Sequence, residues 1–260
     1  MTVTGPAELL ATWEAGLARQ GGGRALLLHR AARPGADTDA LLSVPLGERA
    51  ADLFALRRTL FGDRMQVTLD CADAECGAAM EFDLDAGELG AVRPVVPEGG
   101  LRVTEGDWVV EFRLPGAADL AAVAAAATAV TDVTDATDAT DTRRLLAARC
   151  AVSAVRGGRA ATAAEVRRLP EPVLKRFAEA AEAADPGAEL TLAIACPECG
   201  AATSAELDIA AYLWTELDAW AREVLLDVHL LASAYGWSEP QILALSPQRR
   251  RYYLELCADA

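Results

Sequence analysis

One small unit is written twice in this chain, and any fold must accommodate both copies. Residues 65 to 84 read MQVTLDCADAECGAAMEFDL and residues 190 to 209 read LTLAIACPECGAATSAELDI. In each, apolar residues alternate into a cysteine (Val67, Leu69, Cys71 and Leu192, Ile194, Cys196). A tight loop then brings a second cysteine, and the shared tail Gly-Ala-Ala leads into another extended stretch. Alternation of period two on both sides of a turn predicts a β-hairpin with two thiols at its tip. One tip supplies half of a tetrahedral thiolate shell. Two tips, about 120 residues apart, complete it and predict a zinc-ribbon-like site.

The second pair, Cys196-Pro197-Glu198-Cys199-Gly200, has two residues between its sulfurs and a glycine that permits the positive φ of a metal knuckle. The first, Cys71 to Cys76, has four, the wide end of the usual range. Zn²⁺ held by Cys71, Cys76, Cys196 and Cys199 is the expected chemistry. The rivals are unmetallated thiols, a disulfide, or a thioredoxin-like redox pair. That redox motif belongs where a strand feeds a helix, whereas strand-like residues flank both pairs here. Cys150 and Cys257 lack partners at ligand spacing and read as small buried hydrophobes. The two histidines, His29 and His229, fall in apolar helical stretches and read as packed or capping residues. Without histidine or carboxylate ligands the site is expected to be closed and structural, so no enzymatic activity is expected. A metallohydrolase reading fails for want of a histidine-rich or paired-carboxylate constellation.

At 260 residues, 52% of them hydrophobic, the chain can bury one large core or two modest ones. No apolar run approaches the ~20 residues of a membrane span, and no basic stretch followed by an apolar segment opens the chain. The cytoplasm, which keeps thiols reduced, is the expected compartment. A net charge of −15 argues against phosphate-backbone binding, so a nucleic-acid-binding zinc ribbon is the weaker alternative. Neither nucleic acid nor membrane is an expected partner.

Apolar spacing predicts helices over residues 6–20, 24–33 and 46–60, and a second hairpin from Leu101–Val103 and Trp108–Leu114. Residues 117–142 pass from an alanine-rich run into a Thr-Asp-X repeat that reads as a solvated linker. A calcium-binding loop is the sharper alternative, but the glycine and terminal glutamate of such loops are missing. Helices are expected again at 162–169 and 171–184. A long one follows from Asp208 to Tyr235, its stripe made of Leu213, Leu217, Trp220, Val224, Val228 and Leu231. Ser238 to Gln241 reads as a capping box, and Ser246-Pro247 opens a last helix. The fold class is therefore α+β: helices packed around two Cys-tipped hairpins, with a long C-terminal helix. The expected partition is 1–116, a linker at 117–142, and 143–260, the halves joined in one body through a shared zinc.

The helical N-terminus, the C-x4-C hairpin, the hairpin near Trp108, the C-P-x-C-G hairpin and the closing run AYGWSEPQILALSPQRRRYYLEL together resemble a family found beside contractile-tail genes. Its members are known as baseplate proteins or baseplate-hub assembly chaperones, of the kind first described in T-even phages. The resemblance covers most of the chain and is best from residue 190 to 257. It implies a role in building the baseplate of a phage tail or phage-like contractile injection system, as an assembly chaperone or a permanent structural subunit, with the four cysteines as metal ligands. Two residues would be expected within the first pair, where this chain has four. Arg249, Arg250, Arg251, Tyr252, Tyr253 and Trp237 are of the types enriched at interface hot spots and are the expected contacts for a baseplate or hub protein.

Overall fold

The computed structural model describes residues 5–128 and 135–258. The chain runs through α1 (Pro6–Leu17), α2 (Gly22–Ala32), α3 (Thr38–Ser43) and α4 (Leu46–Phe61) into β1 (Arg64–Asp70), β2 (Ala79–Asp85) and the single turn α5 (Ala86–Leu89). Strands β3 (Leu101–Glu105) and β4 (Trp108–Phe112) follow, then α6 (Ala117–Thr128) and α7 (Asp135–Cys150), β5 (Ala151–Arg156) and β6 (Arg159–Ala160). Next come α8 (Ala163–Val166), α9 (Glu171–Ala184), β7 (Thr191–Ala195) and β8 (Ala202–Glu206). The chain closes with α10 (Ile209–Tyr235), α11 (Glu239–Leu243) and α12 (Pro247–Ala258). The class is α+β, with a C-terminal helix of 27 residues. Among the described residues no helix is long and apolar enough to cross a membrane.

The expected partition is replaced by a different one. Residues 32–208 form one compact unit containing both cysteine hairpins, while residues 1–31 and 209–260 form another. In the latter, α10 buries Ile209, Leu213, Leu217, Val224 and Leu231 as its stripe, with Trp214 and Ala221 beside them. Helix α1 packs on α10 closely enough that a Cβ at Gly16 would collide with the Trp214 ring. The Trp13 indole N–H donates to Asp218 at 2.7 Å, which gives that buried donor its partner. Asp218 also accepts from Arg222, one turn further along α10, at 2.8 Å.

In residues 32–208 the core lies between a four-stranded antiparallel sheet, ordered β3-β4-β5-β6, and α7 and α9. Leu101, Val103, Trp108, Val110 and Phe112 turn to the inner face at period two, and Val173, Leu174 and Phe177 of α9 meet them. The rings of Phe112 and Phe177 are 4.2 Å apart. The alanine-rich run is helix α6, and the Thr-Asp repeat, expected to be a solvated linker, is helical where described, as the start of α7. Residues 129–134 of the Thr-Asp repeat lie outside the described residues. What anchors α6 is Asp119, 1% exposed, which accepts from Arg113 of the β4 end and from Arg149 of α7.

Pro45 stands at the N-cap of α4, and its side chain cannot cap. Asp185, just past α9 and 138 residues away, accepts the Gly47 amide at 3.0 Å instead. Burial is the main reason its carboxyl titrates above the ordinary range, against the lowering effect of the Gly47 bond.

Candidate metal centre

The repeated sequence becomes a repeated structure down to its hydrogen bonds. In one hairpin β1 pairs with β2 so that Asp70 faces Ala79; in the other β7 pairs with β8 so that Ala195 faces Ala202. The next bond is the same in both: Cys71 N–H donates to Ala78 and Cys196 N–H to Ala201, each at 2.9 Å. Gly77 and Gly200 then take φ of +54° and +76°, the left-handed geometry that turns the chain back into the second strand. The longer first loop is closed by Asp73, whose carbonyl accepts from Cys76 and Gly77 and whose side chain accepts from Glu75. That is how four intervening residues reach the same endpoint as two.

Both tips converge. The sulfurs of Cys71, Cys76, Cys196 and Cys199 all lie within 4.8 Å of one another, the one such group of potential ligands among the described residues. Two separations cross between hairpins, Cys71 to Cys199 at 3.6 Å and Cys76 to Cys196 at 3.9 Å. A disulfide needs about 2.05 Å, so all four are free thiols. A tetrahedron with 2.3 Å metal–sulfur bonds has edges of about 3.8 Å, so the donor set fits a four-thiolate metal ion.

Each sulfur also accepts the backbone amide two residues on: Asp73 for Cys71, Ala78 for Cys76, Glu198 for Cys196 and Ala201 for Cys199. Such amides favour the charged form. Cys196 accepts the amide of Cys199 as well, and these two amides hold its thiol down at about 7. For Cys71 the Asp73 amide pulls the same way, but burial and the neighbouring Cys199 and Cys196 thiols outweigh it and the thiol titrates above its ordinary value. Cys76 and Cys199 are likewise raised despite the amides of Ala78 and Ala201. Four sulfurs this close cannot all ionise without a cation to offset them. The site can therefore bind a divalent soft-ligand metal and release protons in doing so.

Around the sulfurs, among the described residues, lies a small apolar cluster of Met80, Leu69, Ile194, Ala78 and Ala201 with the cysteines themselves. Thr203, 5% exposed, accepts the Ala72 amide at 3.0 Å and so ties the second hairpin to the first loop. Sequence reasoning missed this residue, although Thr203 stands where the first copy has Met80, a polar-for-apolar difference within an internal repeat.

Cys150 is fully buried and its thiol is pushed up to about 11, mainly by burial, an inert packing residue. Cys257 is half-buried. His29 is 0% exposed and His229 is exposed. The expected contact residues at the C-terminus divide. Trp237 is half-buried, stacked on Tyr235 and edge-on to Tyr253. Arg249, Arg251 and Tyr252 are exposed. Arg250, expected to face solvent, is instead 7% exposed and bonds Asp227 at 2.9 Å, holding α12 to α10. No family model, curated protein or solved structure matches this chain.

Proposed function

We propose that the chain is a metal-clipped, non-enzymatic binding protein, with zinc at Cys71, Cys76, Cys196 and Cys199, that engages baseplate or hub proteins while a phage-like contractile machine is assembled. The convergence of four thiols within 4.8 Å carries the metal part of this reading. Four protein sulfurs fill a tetrahedral shell and leave no position for substrate or water, so the ion serves the fold. When bound it neutralises the cluster and joins two hairpins whose own apolar core is small. Zinc is preferred over other ions because a tetrahedral all-sulfur set in a reducing compartment selects it.

The partner rests on the resemblance of the closing run and on the residue types in the first half of α12, where Arg249, Arg251 and Tyr252 are exposed. Arginine and tyrosine are enriched among residues that dominate interface energies. Two measurements test the reading. Elemental analysis of protein purified without added metal should give about one zinc per chain; a folded, metal-free protein overturns the centre. Co-purification with the neighbouring sheath, tube and hub gene products should be lost on Arg249→Glu with Tyr252→Ala. Retention overturns the docking site, and capture of none of them by the wild type overturns the partner class.

A further inference from the structure

A second binding surface stands apart from both the cysteines and α12. Residues 143–168 carry seven arginines against one carboxylate, Glu165, a local net charge of +6 on a chain of −15. They build the second half of α7, the strands β5 and β6, and α8. These elements enclose a groove of about 440 Å³ whose lining includes Ala148, Val152, Ser153, Ala161 and Arg167.

One wall of the groove is a strand edge. β6 pairs only with Val155 and Arg156, and the Ala161 amide reaches the Ala154 carbonyl at 2.8 Å. Among the described residues nothing pairs with the outer side of Ala151, Val152 and Ser153. The register slips between Glu111 and Phe112, leaving Val152 without a partner on β4 and 72% exposed. An edge of this kind offers backbone donors and acceptors to an extended chain, and small lining residues leave space for that chain's side chains.

Charge selects among extended chains. Five of the seven arginines meet carboxylates of this protein, at Glu171, Asp141, Asp119, Asp107 and Glu165. Arg167 and Arg168 are exposed and meet none among the described residues. We propose that this groove binds an acidic segment of a partner protein in extended form, as a short strand added to the outer edge of β5, with Arg167 and Arg168 pairing its carboxylates. The slip at Val152 confines the added ladder to a few residues, so the contact is short, polar and sensitive to salt.

The test uses the full-length protein and a fluorescein-labelled octapeptide alternating valine and glutamate. The peptide should bind, weaken at least tenfold on Arg167→Glu with Arg168→Glu, and weaken as salt rises. A version of the peptide with proline at its two central positions should not bind, because proline cannot donate to a ladder. Zinc content and melting temperature of the variant, unchanged, show that it is folded; Arg102→Glu on β3 should leave binding intact. Three results overturn the proposal: no binding by the wild type, equal binding of the proline peptide, or a twelve-nucleotide single strand that binds more tightly than the peptide and so marks a general polyanion site.

Discussion

The amide of Ala72 donates to the hydroxyl of Thr203, 131 residues away, at 3.0 Å. It is a polar bond joining the two cysteine hairpins beside the sulfurs, and it orients the first loop as a second-layer partner orients a metal ligand. Thr203→Val keeps the shape and strands the amide. We expect metal affinity to fall about tenfold, read by competition with a chromogenic chelator, while Thr203→Ser stays near wild type.

Each hairpin supplies two of the four sulfurs, and Cys71–Cys199 and Cys76–Cys196 lie 3.6 and 3.9 Å apart across them, so a four-thiolate shell needs both hairpins. Cys71→Ser and Cys196→Ser should each release the metal and lower the melting temperature by about 5 °C or more. The double variant should cost little more, since members of one constellation are not additive. A strong chelator should bring the wild type to the same temperature and leave the variants unmoved.

Asp185 caps α4 at a cost. Burial raises its carboxyl, so the folded state favours the protonated form more than the unfolded chain does. That contribution is present below the unfolded carboxylate range and is lost as pH rises through the folded value. Asp185→Asn keeps an acceptor for Gly47 and removes the charge, so it should equal or exceed wild-type stability at pH 7 and lose that advantage towards pH 4. Asp185→Ala removes the cap and should cost about 1 kcal/mol. Gly47→Ala should cost about 1–3 kcal/mol, because a Cβ there meets the Asp185 carboxyl and lies 2.9 Å from the Ala188 nitrogen. Thermal melts across pH check all three.

Arg250 and Arg251 are neighbours with opposite duties. Arg250→Glu should lower stability by about 2 kcal/mol, a value reduced from that of a fully buried pair because Asp227 keeps a quarter of its side chain exposed. Arg251, its side chain 83% exposed and paired among the described residues with Glu255, should tolerate the same change within about 0.5 kcal/mol. Chemical denaturation of the two variants separates them.

That contrast also shows where the sequence stops speaking. Three consecutive arginines read alike, yet each residue turns about 100° around a helix, so only Arg250 points at α10. The cysteine hairpins were legible because alternation, cysteine spacing and Gly-Ala-Ala agree in both copies. Most of the α10 stripe was legible for the same reason, one strong period over many turns, although Trp220 and Val228 are half-buried and Trp214 and Ala221 are buried in the stripe instead. β5 was not: α7 ends at Cys150 and β5 begins at Ala151, with no glycine or proline between them. The only signal was the pair Gly157 and Gly158 after it, at φ of +55° and +81°. Asp119 was hidden in an alanine-rich run, and its role depends on Arg113 and Arg149, which are distant in sequence from most of that run.

The sulfurs that meet across the two hairpins are 120 and 128 positions apart in the chain. A ribosome adding about 5–20 residues per second needs about 6–25 s to make the second pair after the first has been polymerised. Throughout that interval Cys71 and Cys76 are only half of the four-sulfur group. Closure of the four-sulfur group can come no sooner than synthesis of Cys199, so a slowly translated stretch between the pairs would lengthen the wait of the first.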